Sequence, residues 1–524
     1  MPLFEVPNRP GVEQDTAILK KSKTRKKPET TIKGSGNNIV SLIALIRSKV
    51  ENNLSQFKDE TIIVTEISQL HDCITRAIEV GEIGIDTETT GLDPLKDKLV
   101  GIGIYSEGKK TAYIPINHVS YLTGERLETQ LTPEVIAPEF QRLADSHIDI
   151  DMFNAPFDIR FILHGIGVRL KCTWDASIAS RLMNENEPEA TRGLKRLHQK
   201  YVLGGIGDAF KFDELFKGIT FDKIPIDIGG IYAAHDPKIT VEFKKWQQKF
   251  LYYDPESTPD ARNGMNGVSW VFFNIEMPIV DVVVDMEEAG VLFDSEYNEV
   301  LKEKYHKLLD ERALAFRDVY SQYDAQINSF KLSHPEIKLE DPINIRSTDQ
   351  LGILLYDIMG CPLFYDKKKK KETRSTAEEA LVALNNDVSK AILSYREFAT
   401  IVSTFIDKLP NCVNPNDKRI HCKFNQYGAD TGRFSSSDPN LQNLPSHCKD
   451  IRPMFTADNS EKTVIDSDSC FTVRRWCNVD TPDGLVYAGN IKVGNTLRVA
   501  EGSQTTQVVV TKVVVNSSTI DFYF

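Results

Sequence analysis

The chain has 524 residues, of which 41% are hydrophobic and 26% are charged, and its formal net charge is −12. This length is sufficient for two to four globular domains, each with its own hydrophobic core. The negative charge argues against histone-like binding of nucleic acid along the whole chain. The sequence has no run of about 18 apolar residues, so no membrane span is predicted. The eight cysteines are irregularly spaced, which predicts neither a disulfide framework nor a zinc site.

Residues 1–60 are predicted to be a basic N-terminal extension. Up to about residue 37 the sequence is polar, is interrupted by Pro and Gly, and carries the basic run KKSKTRKK, which is typical of a disordered tail. A lead-in helix is expected after it. The first residues lack the basic-then-apolar arrangement of a secretory signal. The irregular spacing of the cysteines makes a reducing cytoplasm the expected location.

An α/β pattern extends over residues 61–255. The segment EIGIDTET (82–89) alternates like a half-buried strand, and LVGIGIYSEGKKTAYIPI (99–116) predicts two strands joined by a turn at 107–110. Helical periodicity follows up to about Leu251. The turn-rich segment YYDPESTPDARNGMNG then predicts a domain boundary.

Two carboxylates lie two residues apart in the first of these strands. Side chains at i and i+2 share one face of a strand, so Asp86 and Glu88 are predicted to point to the same place. Clustered carboxylates are unfavourable unless a cation neutralises them, and hard oxygen ligands suit Mg²⁺ or Mn²⁺. An isolated pair of this kind is more often ordinary surface charge.

Two later segments offer further ligands. FNAPFDIR contains Asn154 and Asp158 one turn apart on a predicted helix, and YAAHDPK contains Tyr232 and Asp236 at the same spacing. Because a residue before proline avoids helical geometry, Asp236 is expected at a kink or a helix start. Acids from separate segments, with a tyrosine to orient the attacking water, are what two-metal phosphodiester hydrolysis requires. The alternative is an ordinary α/β domain that carries these acids by chance.

In residue type, order and spacing, these motifs resemble the proofreading 3′→5′ exonucleases of DNA polymerases, which have a ribonuclease-H-like α/β fold. The resemblance spans about residues 61–250. It implies two bound metal ions, Mg²⁺ or Mn²⁺, and single-stranded 3′ ends of DNA as substrate, with Asn154 as a DNA contact. The metal ligands that it implies are Asp86, Glu88, Asp158 and Asp236.

Residues 268–469 are mostly helical in periodicity to about Leu409, after which short strands and loops return. By composition, YGADTGRFSSSDPNLQNLPS (427–446) is a long polar surface loop. It resembles the TGR loop of family A DNA polymerases, and upstream segments resemble the mostly α-helical thumb and the start of the palm. The primer–template contacts that this implies are Arg433, Asn440, Gln442 and Asn443.

A lysine run lies where the resemblance places the tip of the thumb. Charge runs are usually only solvated. At the thumb tip, however, basic side chains hold duplex phosphates in a salt-dependent way. The predicted DNA contacts in this run are Lys367, Lys368, Lys369, Lys370 and Lys371.

The segment TVIDSDS (463–469) resembles the first palm strand of family A polymerases. The resemblance implies that Asp468 is a metal-binding palm aspartate, with Asp466 as the less favoured alternative. Two-metal phosphoryl transfer needs a second palm carboxylate and a helix that grips the nucleotide. The sequence after Asp468 supplies neither, so we predict that this chain alone does not polymerise DNA.

From Cys470 onward the sequence resembles the first block of an intein, with TPDG and KVGN turns in a β-rich tail, and residues 470–524 are expected to be a small Hint-like fragment. The resemblance implies that the Cys470 thiol attacks the carbonyl of Ser469 and converts the amide into a thioester. The usual Asp-Thr pair near the start, the later T-x-x-H block and the C-terminal His-Asn are missing. These gaps indicate a split intein completed by a second chain, or a truncated frame. The alternative is an unrelated β-rich tail.

Taken together, the sequence predicts the N-terminal precursor half of a family A DNA polymerase. Its partners would be primer–template DNA and a second polypeptide that carries the C-terminal intein and the remaining polymerase. A phage-infected bacterial cytoplasm is the expected setting. The alternatives are a stand-alone 3′→5′ exonuclease and a non-catalytic DNA-binding fragment, each with a degenerate polymerase tail.

Overall fold

The chain divides into two compact units, which are described separately. Unit 1 contains Met1–Ala289 and Cys422–Gln442, and unit 2 contains Gly290–His421 and Asn443–Phe524. The computed structural model describes residues 37–206, 212–251, 265–366, 370–429, 432–445 and 448–456, together with Lys492 and strand segments between residues 470 and 523.

A six-stranded mixed sheet forms the centre of unit 1. Its strands are β1 (Thr61–Ile63), β2 (Glu82–Thr89), β3 (Leu99–Tyr105), β4 (Thr111–Pro115), β5 (Asp149–Met152) and β6 (Trp174–Asp175). They are ordered β1-β4-β3-β2-β5-β6. The pairs β2–β3 and β3–β4 are antiparallel and the other pairs are parallel. The predicted pair of strands joined by a turn is confirmed as β3 and β4.

Helices pack against this sheet and bury their apolar stripes. The α-helices of unit 1 are α1 (Asn37–Leu54), α2 (Ile67–Val80), α3 (Pro133–Asp145), α4 (Ala155–Ile166), α5 (Ala176–Met183), α6 (Leu194–Tyr201), α7 (Phe212–Phe216), α8 (Ile226–Ala233), α9 (His235–Gln247), α10 (Met265–Val271) and α11 (Met277–Ala289). In α2, Leu70, Ile74 and Ala77 are buried at helical spacing. A capping box of Glu66 and Gln69 begins this helix.

Two glycines allow helices to approach the sheet closely. A Cβ at Gly84 of β2 would lie 2.6 Å from the Pro237 carbonyl oxygen, and a Cβ at Gly103 of β3 would lie 2.5 Å from the Ala233 carbonyl oxygen. Both distances are too short for a side chain, so only glycine fits where the helical backbone comes this near. The junction between α8 and α9 is therefore held directly against β2 and β3.

One helical run, Gly267–Ala289, is long and apolar enough by length and composition to cross a membrane, which corrects the expectation that no segment would be. It includes most of α10 and all of α11, with a π-helical turn between them. Val280 and Val284 are buried in the core of unit 1, and the buried Glu287 pairs with Arg160. This packing is typical of a core helix in a globular domain.

Unit 2 combines helices with short strands. Its α-helices are α12 (Ser295–Tyr320), α13 (Asp324–Ser333), α14 (Thr348–Gly352), α15 (Glu378–Leu384) and α16 (Asp387–Ile401). Its strands before residue 457 are β7 (Val291–Phe293), β8 (Phe364–Asp366), β9 (Lys371–Thr373), β10 (Arg419–Ile420) and β13 (Phe455–Thr456). β10, β7 and β13 form an antiparallel sheet, and β8 and β9 form a hairpin. The predicted helical character of residues 268–409 is confirmed.

The polar segment predicted as a loop contributes the second strand of a short hairpin. β11 (Lys423–Asn425) pairs antiparallel with β12 (Ser435–Ser437). We call residues 422–442 the TGR hairpin. It belongs to unit 1 although most of that unit lies more than 130 residues earlier in the chain.

Apart from Lys492, the described segments after residue 469 are strands. They are β14 (Cys470–Arg474), β15 (Asn478–Thr481), β16 (Gly484–Tyr487), β17 (Thr496–Glu501), β18 (Gln504–Val509), β19 (Lys512–Val515) and β20 (Thr519–Tyr523). β14, β20 and β19 form one antiparallel sheet, and β15–β16 and β17–β18 form two hairpins. The predicted β-rich character of this region is confirmed, whereas its assignment as a Hint-like fragment stays a prediction.

Candidate active site

Three carboxylates meet where β2 faces the start of α9. Asp86 and Glu88 occupy alternate positions of β2, and Asp236 is the second residue of α9. Ligand oxygens of the three residues lie within 4.8 Å of one another. The strand periodicity therefore did place Asp86 and Glu88 together, and the third acid comes from a segment about 150 residues away.

A fourth acid, Asp158, lies in the first turn of α4 and is fixed by the strand beside it. Its Oδ1 accepts hydrogen bonds from the Thr87 backbone N–H at 3.0 Å and from the Thr87 hydroxyl at 2.6 Å. Thr87 stands between Asp86 and Glu88 on β2. Asp158 is thus hydrogen-bonded to the residue of β2 that lies between the first two carboxylates.

Burial and the neighbouring carboxylates oppose the ionisation of Asp86 and Glu88. Burial raises the pKa of Asp86 well above its usual value, and Asp158, Asp236 and Glu88 raise it further. Burial also raises the pKa of Glu88 to about 8 and that of Asp158 to about 7. A cation at this position would restore the charged forms.

The donor set fits a hard divalent ion. Every candidate ligand is a carboxylate oxygen, as Mg²⁺ and Mn²⁺ prefer. The buried Oδ1 of Asp236 has no hydrogen-bond partner among the described residues. Because an orphaned buried carboxylate oxygen is costly, this atom has the environment expected of a ligand for a metal ion.

Lys195 belongs to this site, and the sequence did not predict it. Its Nζ donates to Asp236 Oδ2 at 2.7 Å and lies 3.7 Å from the centre of the Tyr232 ring. Burial disfavours the ammonium, but Asp236 and Tyr232 outweigh this effect and raise the pKa of Lys195. Within α6 (LKRLHQKY), Lys195 is one of several basic residues, so the local pattern gave no signal for it.

Tyr232 and Asp236 lie on two helices, which corrects the expectation of one continuous face. α8 ends at Ala233 and α9 begins at His235, with Pro237 in its first turn. The predicted helix start at Asp236 is confirmed. The Tyr232 ring packs edge-on against Phe216, with centroids 5.1 Å apart, and burial raises its pKa, so the phenol is protonated at neutral pH.

Asn154 precedes its helix, which corrects its predicted position within that helix. It is the N-cap of α4 in the left-handed region, with φ 72° and ψ 53°. Its backbone N–H donates to Asp175 Oδ1 at 3.1 Å. Asn154 also lines an open cleft of about 520 Å³ in unit 1, together with Leu92, Phe157 and residues of the TGR hairpin.

The remaining predicted DNA contacts are exposed wherever the structure describes them. Lys370 directly precedes β9 and Lys371 is the first residue of this strand, whereas Lys367, Lys368 and Lys369 lie outside the described residues. All four residues that were predicted as DNA contacts in the TGR loop are exposed: Arg433, Asn440, Gln442 and Asn443. Their role as DNA contacts stays a prediction.

The residues predicted for the palm and the splice junction are described in part. Asp466, Asp468 and Ser469 lie outside the described residues. The backbone of Cys470 begins β14 and pairs with Tyr523 of β20. The proposed palm ligand and the proposed nucleophile therefore remain sequence predictions.

Comparison with known families matches two separate regions of the chain. Residues 61–249 match the family described as 3′-5′ exonuclease. Residues 315–470 match DNA polymerase family A. The first region contains all four acids of the site, and the second ends at the residue where the sequence changes character.

Individual relatives agree with these matches. DNA polymerase I of Synechocystis sp. is 32% identical over 395 residues, which cover 73% of this chain and 36% of that protein. DNA polymerase I of Chloroflexus aurantiacus is 29% identical over 441 residues, which cover 81% of this chain and 42% of that protein. The chain thus spans about two fifths of the length of these relatives.

A solved structure shares the fold. The polymerase domain of Pol1 from M. smegmatis, in complex with DNA primer-template and dNTP, matches with a TM-score of 0.52 at 20% identity, over 74% of this chain and 58% of that one. This similarity concerns the fold alone. The two family matches carry the assignment. The chain is DNA polymerase I-like, with a 3′-5′ exonuclease domain in residues 61–249 and a fragment of a family A DNA polymerase in residues 315–470.

Proposed function

We propose that unit 1 is a two-metal 3′→5′ exonuclease that removes nucleotides from single-stranded 3′ ends of DNA with Mg²⁺ or Mn²⁺. The observation that carries this proposal is the convergence of Asp86, Glu88 and Asp236 within 4.8 Å. A non-catalytic DNA-binding domain would have no need for three partly buried carboxylates this close together. Retaining such a cluster is costly unless metal ions compensate for it.

In this mechanism the protein's residues hold the metal ions, orient the attacking water and offset negative charge. Asp86, Glu88 and Asp236 would hold the ions, and Asp158 would join them from α4, kept in place by Thr87. When bound, the ions supply Lewis-acid stabilisation of the phosphoryl group and lower the pKa of water. The protonated Tyr232 hydroxyl is suited to orient the attacking water.

Lys195 would have an electrostatic role beside the ligands. Its Nζ donates to Oδ2 of Asp236 and leaves Oδ1 available to a metal ion. Its positive charge also offsets part of the negative charge of the acids and of the approaching phosphate.

The test is digestion of a 5′-labelled single-stranded oligonucleotide by the whole chain. We expect a ladder that shortens from the 3′ end with Mg²⁺ and no digestion with EDTA. Asp86→Ala should abolish it, whereas Asp145→Ala, which changes an exposed acid of α3, should digest at the normal rate. Undiminished digestion by Asp86→Ala would contradict the proposal and favour a contaminating nuclease or a DNA-binding fragment.

We further propose that the chain is the N-terminal precursor half of a polymerase, joined to its remainder by protein splicing. The polymerase family match extends to residue 470, where the intein-like sequence with TPDG and KVGN begins. In the first step the Cys470 thiol would attack the Ser469 carbonyl. A C–S bond forms, the C–N bond breaks, and the amine of Cys470 is released. A reducing cytoplasm would keep this thiol free.

Splicing and polymerisation are tested by mass spectrometry and primer extension. In cells that contain the partner, a tryptic peptide that begins at Thr463 should read TVIDSDS followed by the partner's sequence. We expect the isolated chain not to extend a primer, because two-metal phosphoryl transfer needs a second palm carboxylate and the sequence from Cys470 resembles an intein rather than the palm. If only TVIDSDSCFTVR is found where the polymerase is active, the splicing proposal fails and a stand-alone exonuclease is favoured. Primer extension by the isolated chain would exclude the precursor proposal.

A further inference from the structure

Three residues of the TGR hairpin form hydrogen bonds that anchor it to the rest of unit 1. The Phe424 backbone N–H donates to Glu287 Oε1 at 2.7 Å, and the Gln426 side-chain amide donates to the Glu276 carbonyl oxygen at 3.0 Å. The third bond joins the hydroxyls of Tyr427 and Ser177 at 2.7 Å. The first two bonds reach α11 and the helical turn before it, whereas the third reaches α5, next to the candidate active site.

The direction of the third hydrogen bond follows from its neighbours. The Ser177 hydroxyl lies 2.7 Å from Asp175 Oδ1 and donates its single proton to that carboxylate. It can therefore only accept from Tyr427. Burial raises the pKa of Tyr427, so its phenol keeps the proton that it donates. The result is an ordered chain from Tyr427 through Ser177 to Asp175.

Asp175 caps two helices at once. Its Oδ1 accepts from the backbone N–H of Ser177 at 2.8 Å, which caps α5, and from Asn154 N–H at 3.1 Å. Its Oδ2 accepts from Ala155 N–H at 2.7 Å, at the start of α4. Asp175 is fully buried, so these bonds are shielded from water. The orientation of this carboxylate therefore fixes the first turn of α4, which carries Asp158.

We propose that Tyr427, Ser177 and Asp175 form a positioning relay by which the TGR hairpin holds Asp158 in place for metal binding. The proposal rests on the proposed nuclease function, because it takes Asp158 as a metal ligand. None of the three residues is itself a candidate ligand. Losing the Tyr427 hydroxyl would leave Ser177 free to rotate and would loosen Asp175, and thus the start of α4.

Removing the Tyr427 hydroxyl should affect metal binding less than removing a group that hydrogen-bonds directly to a metal ligand. Groups that hydrogen-bond a metal ligand typically contribute about 10–100-fold to metal affinity or activity. Tyr427 acts through two further residues, so Tyr427→Phe should weaken Mn²⁺ binding and slow Mg²⁺-dependent digestion by about threefold to tenfold. Ser177→Ala should do at least as much. The double variant should match Ser177→Ala, because the Tyr427 hydroxyl acts only through Ser177.

The chain offers a matched control in Gln426→Met. This variant removes another anchor of the same hairpin, next to Tyr427, without touching Asp175. It should lower the unfolding temperature about as much as Tyr427→Phe and leave Mn²⁺ affinity unchanged. The two readouts are Mn²⁺ binding by electron paramagnetic resonance and digestion as a function of Mg²⁺ concentration, both with the whole chain.

Each outcome decides the proposal. Unchanged Mn²⁺ affinity in Tyr427→Phe, or an equal loss in Gln426→Met, would overturn the relay while leaving the nuclease function in place if the unaltered chain digests DNA. Weaker Mn²⁺ binding in Tyr427→Phe alone would support the relay even if no digestion were seen, in which case only the nuclease function fails. If the unaltered chain bound no Mn²⁺, both proposals would fall.

Discussion

Lys244 provides the sharpest test of how unit 1 is stabilised. Its side chain is 2% exposed, and its Nζ lies 2.8 Å from Asp151 Oδ1, 2.9 Å from Glu82 Oε1 and 3.4 Å from Asp149 Oδ2. Asp151 is fully buried on β5, and its Oδ2 has no partner among the described residues. Replacing Lys244 by Met keeps the aliphatic stem and leaves Asp151 without a counter-charge.

The magnitude follows from burial and from the protonation of Asp151. Removing one partner of a buried ion pair costs about 3–5 kcal/mol of unfolding free energy. Burial raises the pKa of Asp151 to about 7 even though Lys244 opposes this shift, so loss of Lys244 raises it further. A folded-state pKa above the unfolded value means that stability is lost as the pH rises through it. The deficit of Lys244→Met should therefore be smallest near pH 5.5, where Asp151 is protonated, and reach about 3–5 kcal/mol near pH 8.5.

The assay is urea denaturation at these two pH values, followed by tryptophan fluorescence. Trp174 is a suitable reporter, since it lies in unit 1 with its ring centre 5.9 Å from Lys244 Nζ. The matched control is Lys245→Met, one residue further along α9. Lys245 pairs with Glu107 at the surface, where both side chains are at least 36% exposed, so this variant should lose no more than about 1 kcal/mol.

Two results would refute the reasoning about Lys244. The first is an equal loss for Lys244→Met and Lys245→Met, which would mean that burial does not determine the value of the ion pair. The second is a loss for Lys244→Met that does not change with pH, which would mean that Asp151 stays ionised. Adding Asp151→Asn to Lys244→Met should recover part of the stability at pH 8.5, because the buried charge is then absent.

Three further variants test other parts of unit 1. Burial lowers the pKa of His118 to about 4. The neutral imidazole therefore contributes fully to stability above about pH 6.5, and about 3 kcal/mol of unfolding free energy is lost as the pH falls toward 4. Between these two pH values, the urea midpoint of His118→Gln should fall less than that of the unaltered chain. Thr87→Val removes a 2.6 Å hydrogen bond to Asp158 and should slow digestion about tenfold, whereas Thr87→Ser should not. Arg160→Met breaks the ion pair with Glu287, in which the two side chains are only 4% and 7% exposed, and should lower the free energy of thermal unfolding by about 3–5 kcal/mol. Arg169→Met, which removes a more exposed ion pair, should lower it by at most about 1 kcal/mol.

The periodicity of the sequence predicted those features of the site that depend on neighbouring residues in the chain. Alternation along a strand placed Asp86 and Glu88 on one face, and the proline after Asp236 predicted a helix start. The same reasoning failed at helix boundaries. Asn154 adopts a left-handed backbone outside α4, and α8 ends before α9 begins, so Tyr232 and Asp236 lie on separate helices, although both segments have helical spacing in the sequence.

Contacts between distant segments lay beyond sequence reasoning. Lys195 reaches Asp236 from a helix 41 residues earlier, and nothing in its own segment distinguishes it from the basic residues beside it. Tyr427 and Ser177 are 250 residues apart. Only the packing of helices on the sheet brings such pairs together, and this packing depends on features such as Gly84 and Gly103, whose role is visible only in three dimensions.

The division of unit 1 along the chain has a consequence for its biosynthesis. The chain leaves the unit after Ala289 and returns at Cys422, so completing it requires closure of a loop of well over a hundred residues, which costs about 4 kcal/mol in chain entropy. During translation, the nuclease sheet can form long before the ribosome has made the TGR hairpin. A nascent chain would therefore pass through a stage with its acids assembled but Ser177 without Tyr427. Any fragment cut at Ala289 would be arrested at that stage.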